Sequence, residues 1–273
     1  MPEHGHSPLS HVVDHPTLEF PALSHPTYAW EIELPRIMGI QVTRFMVTEV
    51  IAALLVAAVV IPLARHVASR PVTKGWFLNL FETFLLFIRD QVARPTIGGH
   101  GADPFLPYLW TVFFFVLFNN LLGLIPGMAS ATGNINVTGT LAAMTLAVVV
   151  LTGMRANGVA GYWVGIVPHM DVPGLLKPPL WGLMFVIEVA GLFIKHIVLA
   201  VRLFANMLAG HIVLSVILGF ILMAEGTSYW PVAGASVIGV IALSLLELFV
   251  AFLQAYIFTF LSALFIGSAV HPH

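Results

Sequence analysis

Several stretches of this chain stay apolar for longer than the roughly 18 residues that mark a bilayer crossing. Hydrophobic residues make up 59% of it and charged residues only 9%. Its length gives one multi-span membrane domain rather than several soluble ones. Within that oil, the run Val201-Arg202-Leu203-Phe204-Ala205-Asn206-Met207-Leu208-Ala209-Gly210-His211 places an arginine mid-segment. A guanidinium at such depth costs at least about 2.5–3.5 kcal/mol on insertion scales. It cannot escape by losing a proton, because its pKa stays above about 12. A charge both costly and permanent points to ion movement through the membrane.

The formal net charge of −2 argues against nucleic acid as a partner. There are no cysteines, so disulfides and thiolate metal sites are excluded. Residues 1–44 form a polar tail rich in His and Pro, without the basic and apolar regions of a cleavable signal peptide. The tail histidines, His4, His6, His11, His15 and His25, are irregularly spaced with no clustered carboxylate or Cys, which favours a solvated tail over a metal site. No His-Glu-x-x-His run is present.

Residues 45–273 are read as a single transmembrane domain. Spans are expected at 45–63, 106–125, 139–154, 180–223 and 232–269. Between the first two, Trp76 to Val92 sets Asn79, Glu82, Arg89 and Asp90 among Phe and Leu at helical spacing. That pattern predicts an amphipathic helix lying on the membrane surface. Gly98-Gly99-His100-Gly101, Pro126-Gly127, the polar turn Gly133–Thr138 and the Gly/Pro-rich residues 156–180 separate the elements. Arg65, His66, Arg70, Lys74, Arg155 and Lys177 gather on one side, so the positive-inside rule predicts five crossings, N-terminus out and C-terminus in. The last two runs are about 44 and 38 residues, or roughly 66 and 57 Å as helices. A core about 30 Å thick needs only some 20 residues, so these helices must tilt strongly or lie partly in the membrane plane. The expected fold is an all-α polytopic membrane protein whose last two helices form a long, tilted hairpin, and no internal repeat is visible.

On the first long helix, Glu188, Lys195 and Arg202 are spaced by seven, and Asn206 follows four later. At about 100° per residue all four fall within about 40° of one another, a polar seam on an apolar cylinder. His211 lies about 180° round from Arg202. On the last helix Ser244, Glu247 and Gln254 share a face. Counted from a turn near Gly226, His211 and Glu247 come roughly 18 and 24 Å in, and Arg202 and Gln254 roughly 31 and 35 Å. The antiparallel hairpin therefore offers two cross-helix pairs, His211 with Glu247 and Arg202 with Gln254, as intramembrane polar groups require.

These residues resemble subunit a of the F-type ATP synthase. The likeness rests on Arg-Leu-Phe-Ala-Asn-Met-x-Ala-Gly at 202–210, on Glu188 and Lys195 upstream, and on Leu253-Gln254-Ala255-Tyr256-Ile257-Phe258. It also takes in Asn119-Asn120-Leu121-Leu122-Gly123-Leu124-Ile125-Pro126 and Asn136-x-Thr138. The resemblance implies a non-catalytic stator subunit in a bacterial inner membrane. Its partners would be a ring of c subunits, the peripheral-stalk b subunits and lipid. Two half-channels would meet the ring, with Arg202 as the barrier between them. Glu188, Lys195, Asn206, His211, Glu247 and Gln254 would serve proton movement, and Ser244, Asn120, Asn136 and Thr138 are further pore-lining candidates. No cofactor is implied; the ion is a proton, with Na⁺ left open. Many bacterial members carry Glu at the place of His211 and His at the place of Glu247; this chain has the exchanged pair, as mitochondrial relatives do. Asn134 stands where many members have Asp, so no proton-carrying acid is assigned there.

The residues also allow blander roles. Glu188 and Lys195 could pair with neighbours or snorkel, His211 and Glu247 could form a structural hydrogen bond, and Glu49 could face a partner or headgroups. A secondary proton or sodium antiporter would also need intramembrane charges, but such folds commonly show repeats and short interrupted helices. No nucleophile–base or metal constellation suggests a membrane enzyme.

Overall fold

The computed structural model describes residues 17–21, 29–37, 40–69, 75–125, 130–168, 177–224 and 229–270. The tail histidines, Arg70, Lys74, Pro126-Gly127 and the turn at Gly226 lie outside the described residues. Two small antiparallel ribbons precede the helices: β1 (Thr17–Pro21) with β2 (Ala29–Glu33), and β3 (Arg36–Ile37) with β4 (Ile40–Gln41). The tail is thus locally paired, as the alternation in Thr17-Leu18-Glu19-Phe20 allows. Beyond it the chain is helical, because in hydrocarbon each backbone N–H and C=O must be satisfied within its own segment.

Five helices are long and apolar enough to cross a membrane: Arg44–Pro62, Gly101–Gly123, Ile135–Asn157, Lys177–Ile221 and Tyr229–Val270. The first belongs to α1 (Arg44–Ser69), followed by α2 (Trp76–Phe87). Wide π-turns then carry the chain over Ile88–Gly98, and a 3₁₀ stretch, Gly99–Phe105, leads into α3 (Leu106–Gly123). The expected surface helix therefore continues past residue 92. Its widening has a local cause: Pro95 has no N–H to give an α-type bond and its ring crowds the carbonyl four residues back. Thr96 Oγ1 donates to the Val92 carbonyl at 2.6 Å. Gly98 (φ 102°) and Gly99 (φ 36°) end the turns in left-handed backbone. On the same segment the Asp90 carboxylate accepts from Arg89 Nε at 2.9 Å and Arg94 Nη1 at 3.0 Å. The Arg89 hydrogen bond, with both nearby guanidinium charges, holds the Asp90 carboxyl below its usual range.

Next come α4 (Ile135–Asn157), α5 (Val159–Gly165), α6 (Lys177–Met223) and α7 (Tyr229–Val270). α4 starts four residues earlier than expected because Asn134 caps it. The Asn134 backbone is extended, and its Oδ1 accepts the Asn136 N–H at 2.9 Å. Asn136 and Thr138 therefore sit in the first turns of α4, not in a polar loop. The short α5 falls in what reads from sequence as a plain connection; Gly158, at φ 76°, makes the break before it.

The chain divides into two compact units. The first comprises residues 1–58, 114–137 and 203–255. Here Phe45, at the start of α1, packs with Ala131 and Val137. Asn120 on α3 ties α7 in place: its Nδ2 donates to the Ala251 carbonyl at 3.4 Å, while its Oδ1 accepts from Thr132 Oγ1 at 2.7 Å. Ser130 and Thr132 hydroxyls are 2.8 Å apart, and all three polar side chains are buried.

The second unit comprises residues 59–113, 138–202 and 256–273. Trp110 Nε1 donates to the Leu85 carbonyl at 3.1 Å, joining α3 to α2. The Tyr108 and Thr145 hydroxyls meet at 2.8 Å, joining α3 to α4. Asn157 Nδ2 donates to the Ala269 carbonyl at 3.2 Å, joining α4 to α7. Close approach here depends on glycine. A Cβ on Gly267 would fall on the Thr96 carbonyl oxygen, and one on Gly153 would fall on the Tyr162 ring.

A backbone carbonyl cannot swing aside as a side-chain tip can. Gly267→Ala is therefore expected to destabilise the protein by about 1–3 kcal/mol. Gly139→Ala, where nothing lies within 4 Å, should be neutral or mildly stabilising. Thermal inactivation of the detergent-solubilised protein measures both; equal behaviour of the two variants would contradict the packing described.

Candidate ion-translocation site

α6 buries one stripe and exposes another. His196, Leu199, Ala200, Leu203 and Met207 are buried, at the helical spacing of a single face. Glu188, Lys195, Arg202 and Asn206 lie on the seam centred about 90° away from it. Lys195 and Arg202 are exposed, and Glu188 and Asn206 partly so. Around Arg202 the surface is oily: Ile194, Val198 and Val201 are 58%, 47% and 46% exposed. Among the described residues no salt bridge holds Arg202. A purely structural ion pair therefore does not account for it. The guanidinium is presented outward, away from this chain's own core.

α6 and α7 are also the least covered of the apolar helices. Only 17% and 11% of their most apolar windows are buried, against 56% for α3. Leu245, Leu246 and Phe249 on α7 are each more than half exposed. Ser244 is exposed too, whereas Gln254 is buried. Ser244, Glu247 and Gln254 belong to the first unit, and Glu188, Lys195 and Arg202 to the second.

The expected His211–Glu247 neighbourhood forms within the first unit. The Glu247 carboxylate lies in the space that a side chain on Gly210 would fill. Glycine at 210 is what lets an acidic group on α7 reach the α6 backbone one residue before His211. His211 Nε2 and Glu247 Oε2 are both buried without a hydrogen-bond partner, so these two atoms are not joined to each other. Buried polar atoms are nearly always satisfied. Two such atoms on neighbouring turns mark a place suited to a transferable proton or to water between them. The Ser215 hydroxyl donates to the His211 carbonyl at 2.8 Å.

The further candidates divide. Asn120 is buried in the network that fixes Ala251, midway on α7 between Glu247 and Gln254. Thr138 is buried near the start of α4, and Asn136 is exposed at the helix cap. Sequence reasoning passed over two ionisable residues. His196 is buried, its Nδ1 donates to the Leu192 carbonyl at 2.8 Å, and its ring centroid is 5.0 Å from that of Phe265. Its Nε2 is buried and unpartnered. Arg44, assigned by sequence to the polar tail, instead starts α1 and is only 4% exposed. A lone His on an apolar stripe and a cation just before a span are both common, so neither stood out.

An outward, permanent cation on an uncovered helix, with a buried imidazole and carboxylate brought close by a glycine, defines an integral membrane protein with ionisable groups built into its final helix pair. The family model described as ATP synthase A chain matches residues 46–267. ATP synthase subunit a of Myxococcus xanthus is 43% identical over 248 residues, 88% of this chain and 79% of that protein. Its counterpart in Anaeromyxobacter dehalogenans (strain 2CP-C) is 41% identical over 278 residues, 97% and 70% of the two chains. That of Chlorobium phaeobacteroides is 43% identical over 275 residues, 97% and 77% of the two. The chain belongs to the ATP synthase subunit a family.

Proposed function

We propose that this chain is the proton-conducting stator subunit of a bacterial F-type ATP synthase, forming two aqueous half-channels against a ring of c subunits. The observation that carries the reading is Arg202, exposed on an oily, uncovered face of α6 with no salt bridge among the described residues. Such a charge needs an acidic partner from outside the chain, and a ring carboxylate supplies one. The fixed cation favours ionisation of that carboxylate as it passes. It also repels a proton that would otherwise leak straight across. Lysine is a poorer substitute, because it can shed its proton when desolvated.

In this reading protons enter from the outer side past His211 and Glu247 and are handed to the ring. After nearly a full turn they leave through a second route lined by Glu188 and Lys195. Asn206, on the same seam of α6 as Arg202, and Gln254 line water, and Ser244 is a further pore-lining residue on α7. Asn120 acts on the outer route by holding the α7 backbone, and Thr138 and Asn136 are further pore-lining candidates. The N-terminus lies outside and the C-terminus in the cytoplasm of an inner membrane, with b subunits of the peripheral stalk as further partners. Catalysis of ATP chemistry belongs to other subunits, and the chain needs no cofactor.

Arg202→Ala in the assembled complex should abolish ATP-driven proton pumping into vesicles; full coupled pumping would overturn the assignment. The double exchange His211→Glu with Glu247→His should retain more pumping than either single change, and equal or greater loss in the double variant would dissolve the pair. Gly210→Ala should assemble normally yet cut proton conduction on the order of tenfold or more, because its methyl displaces the Glu247 carboxylate. Gly219→Ala, with nothing within 4 Å, is the control. Sodium dependence of ATP hydrolysis by the holoenzyme is expected to be absent; its presence would reassign the ion to Na⁺.

A further inference from the structure

One buried polar atom of the second unit takes no part in either proposed route. His196 stands on the packed stripe of α6 and is 3% exposed, while its neighbour Lys195 is exposed on the seam. Its Nδ1 donates to the Leu192 carbonyl at 2.8 Å, and its ring centroid is 5.0 Å from that of Phe265 on α7. α6 and α7 thus meet at this ring, within the unit that also holds Glu188 and Lys195. Because Nδ1 commits the single proton of the neutral ring to that carbonyl, Nε2 is left as a bare acceptor. Nε2 is buried, and no group among the described residues donates to it. The stretch of α7 from Tyr256 to Val270 contains no Asp, Glu, Lys, Arg or His, so it offers the ring no ion pair. Packing does not account for the histidine either. A leucine would fill such a place without leaving an acceptor unmet, and buried acceptors are costly unless satisfied.

We infer that the second proton route passes His196, whose Nε2 accepts a hydrogen bond from water in that route. The inference rests on the reading of Glu188 and Lys195 as lining the same route. Lys195 precedes His196 directly, about 100° round α6 from it. Glu188 lies eight residues earlier, about 80° round and about 12 Å along the axis. All three therefore lie within about 100° of one another on one side of the helix. A proton crosses a file of waters only when each water is oriented to donate onward. A fixed acceptor orients the water that donates to it. His196 suits that task because its Nδ1 is already held by its own helix, which fixes Nε2 as the accepting atom. It acts as a lining and positioning residue, through the water it orients, and is not itself a carrier.

The test uses the intact complex reconstituted in vesicles, with passive proton conduction driven by a potassium diffusion potential after the catalytic head is removed. The chain has no cysteine, so a single introduced thiol is unique within it. Silver ion is small and thiophilic, and it blocks conduction at a thiol only where the aqueous route reaches that thiol. Conduction by His196→Cys is expected to fall about fivefold or more on adding silver, relative to the unsubstituted complex treated alike. Val149→Cys, buried on α4 in the same unit, should be unaffected. Silver insensitivity of His196→Cys overturns the inference, as does equal block of Val149→Cys. Should the Cys variant fail to assemble, which immunodetection of the subunit in the purified complex reports, His196→Gln and His196→Leu decide without silver. Gln supplies an acceptor oxygen and should keep most of the conduction, whereas Leu should lose about threefold or more. Equal conduction by the two assembled variants overturns the inference, because a packing role distinguishes neither. Glu188→Cys is run alongside: conduction that survives both the substitution and silver fails the reading of the second route itself. Block at Glu188→Cys with none at His196→Cys fails only the present inference.

Discussion

A guanidinium on an apolar helix cannot be neutralised, only matched, and the chain's architecture follows from where the match is made. Among the described residues no salt bridge holds Arg202, and its surroundings on α6 are exposed Val and Ile side chains. Placing it to one side of the buried stripe of Leu199 and Leu203 lets the helix pack its own core with ordinary hydrophobic contacts. The cost of the charge is thereby left unmet by any salt bridge among the described residues. α6 and α7 are also the least covered of the apolar helices, so the exposed charge sits on the part of the chain that its own packing covers least.

Packing inside each unit uses a different currency. Apolar side chains gain little by touching one another in a bilayer, since lipid tails are equally apolar. What locks helices together is backbone exposed to a neighbour's polar side chain or admitted by a missing one. Asn120 reaches the Ala251 carbonyl and Asn157 reaches the Ala269 carbonyl. Gly267 admits the Thr96 carbonyl, and Gly210 admits the Glu247 carboxylate. In the last of these the same absent methyl that permits close packing also brings an acid to the helix carrying His211.

Much of this was legible from the residues alone, for a physical reason. Spans announce themselves by apolar length, and a charge inside one is conspicuous because it is costly, so α6, α7 and the seam through Arg202 could be read directly. The adjacency of Glu247 to the His211 turn followed from helix rise and a short hairpin. What escaped depended on groups whose meaning is set by distant neighbours. Pro95 changes the helix type only because the segment continues through it, and Asn134 resembles a polar turn residue until its side chain is seen to cap α4. His196 and Arg44 are unremarkable as letters; burial made them matter.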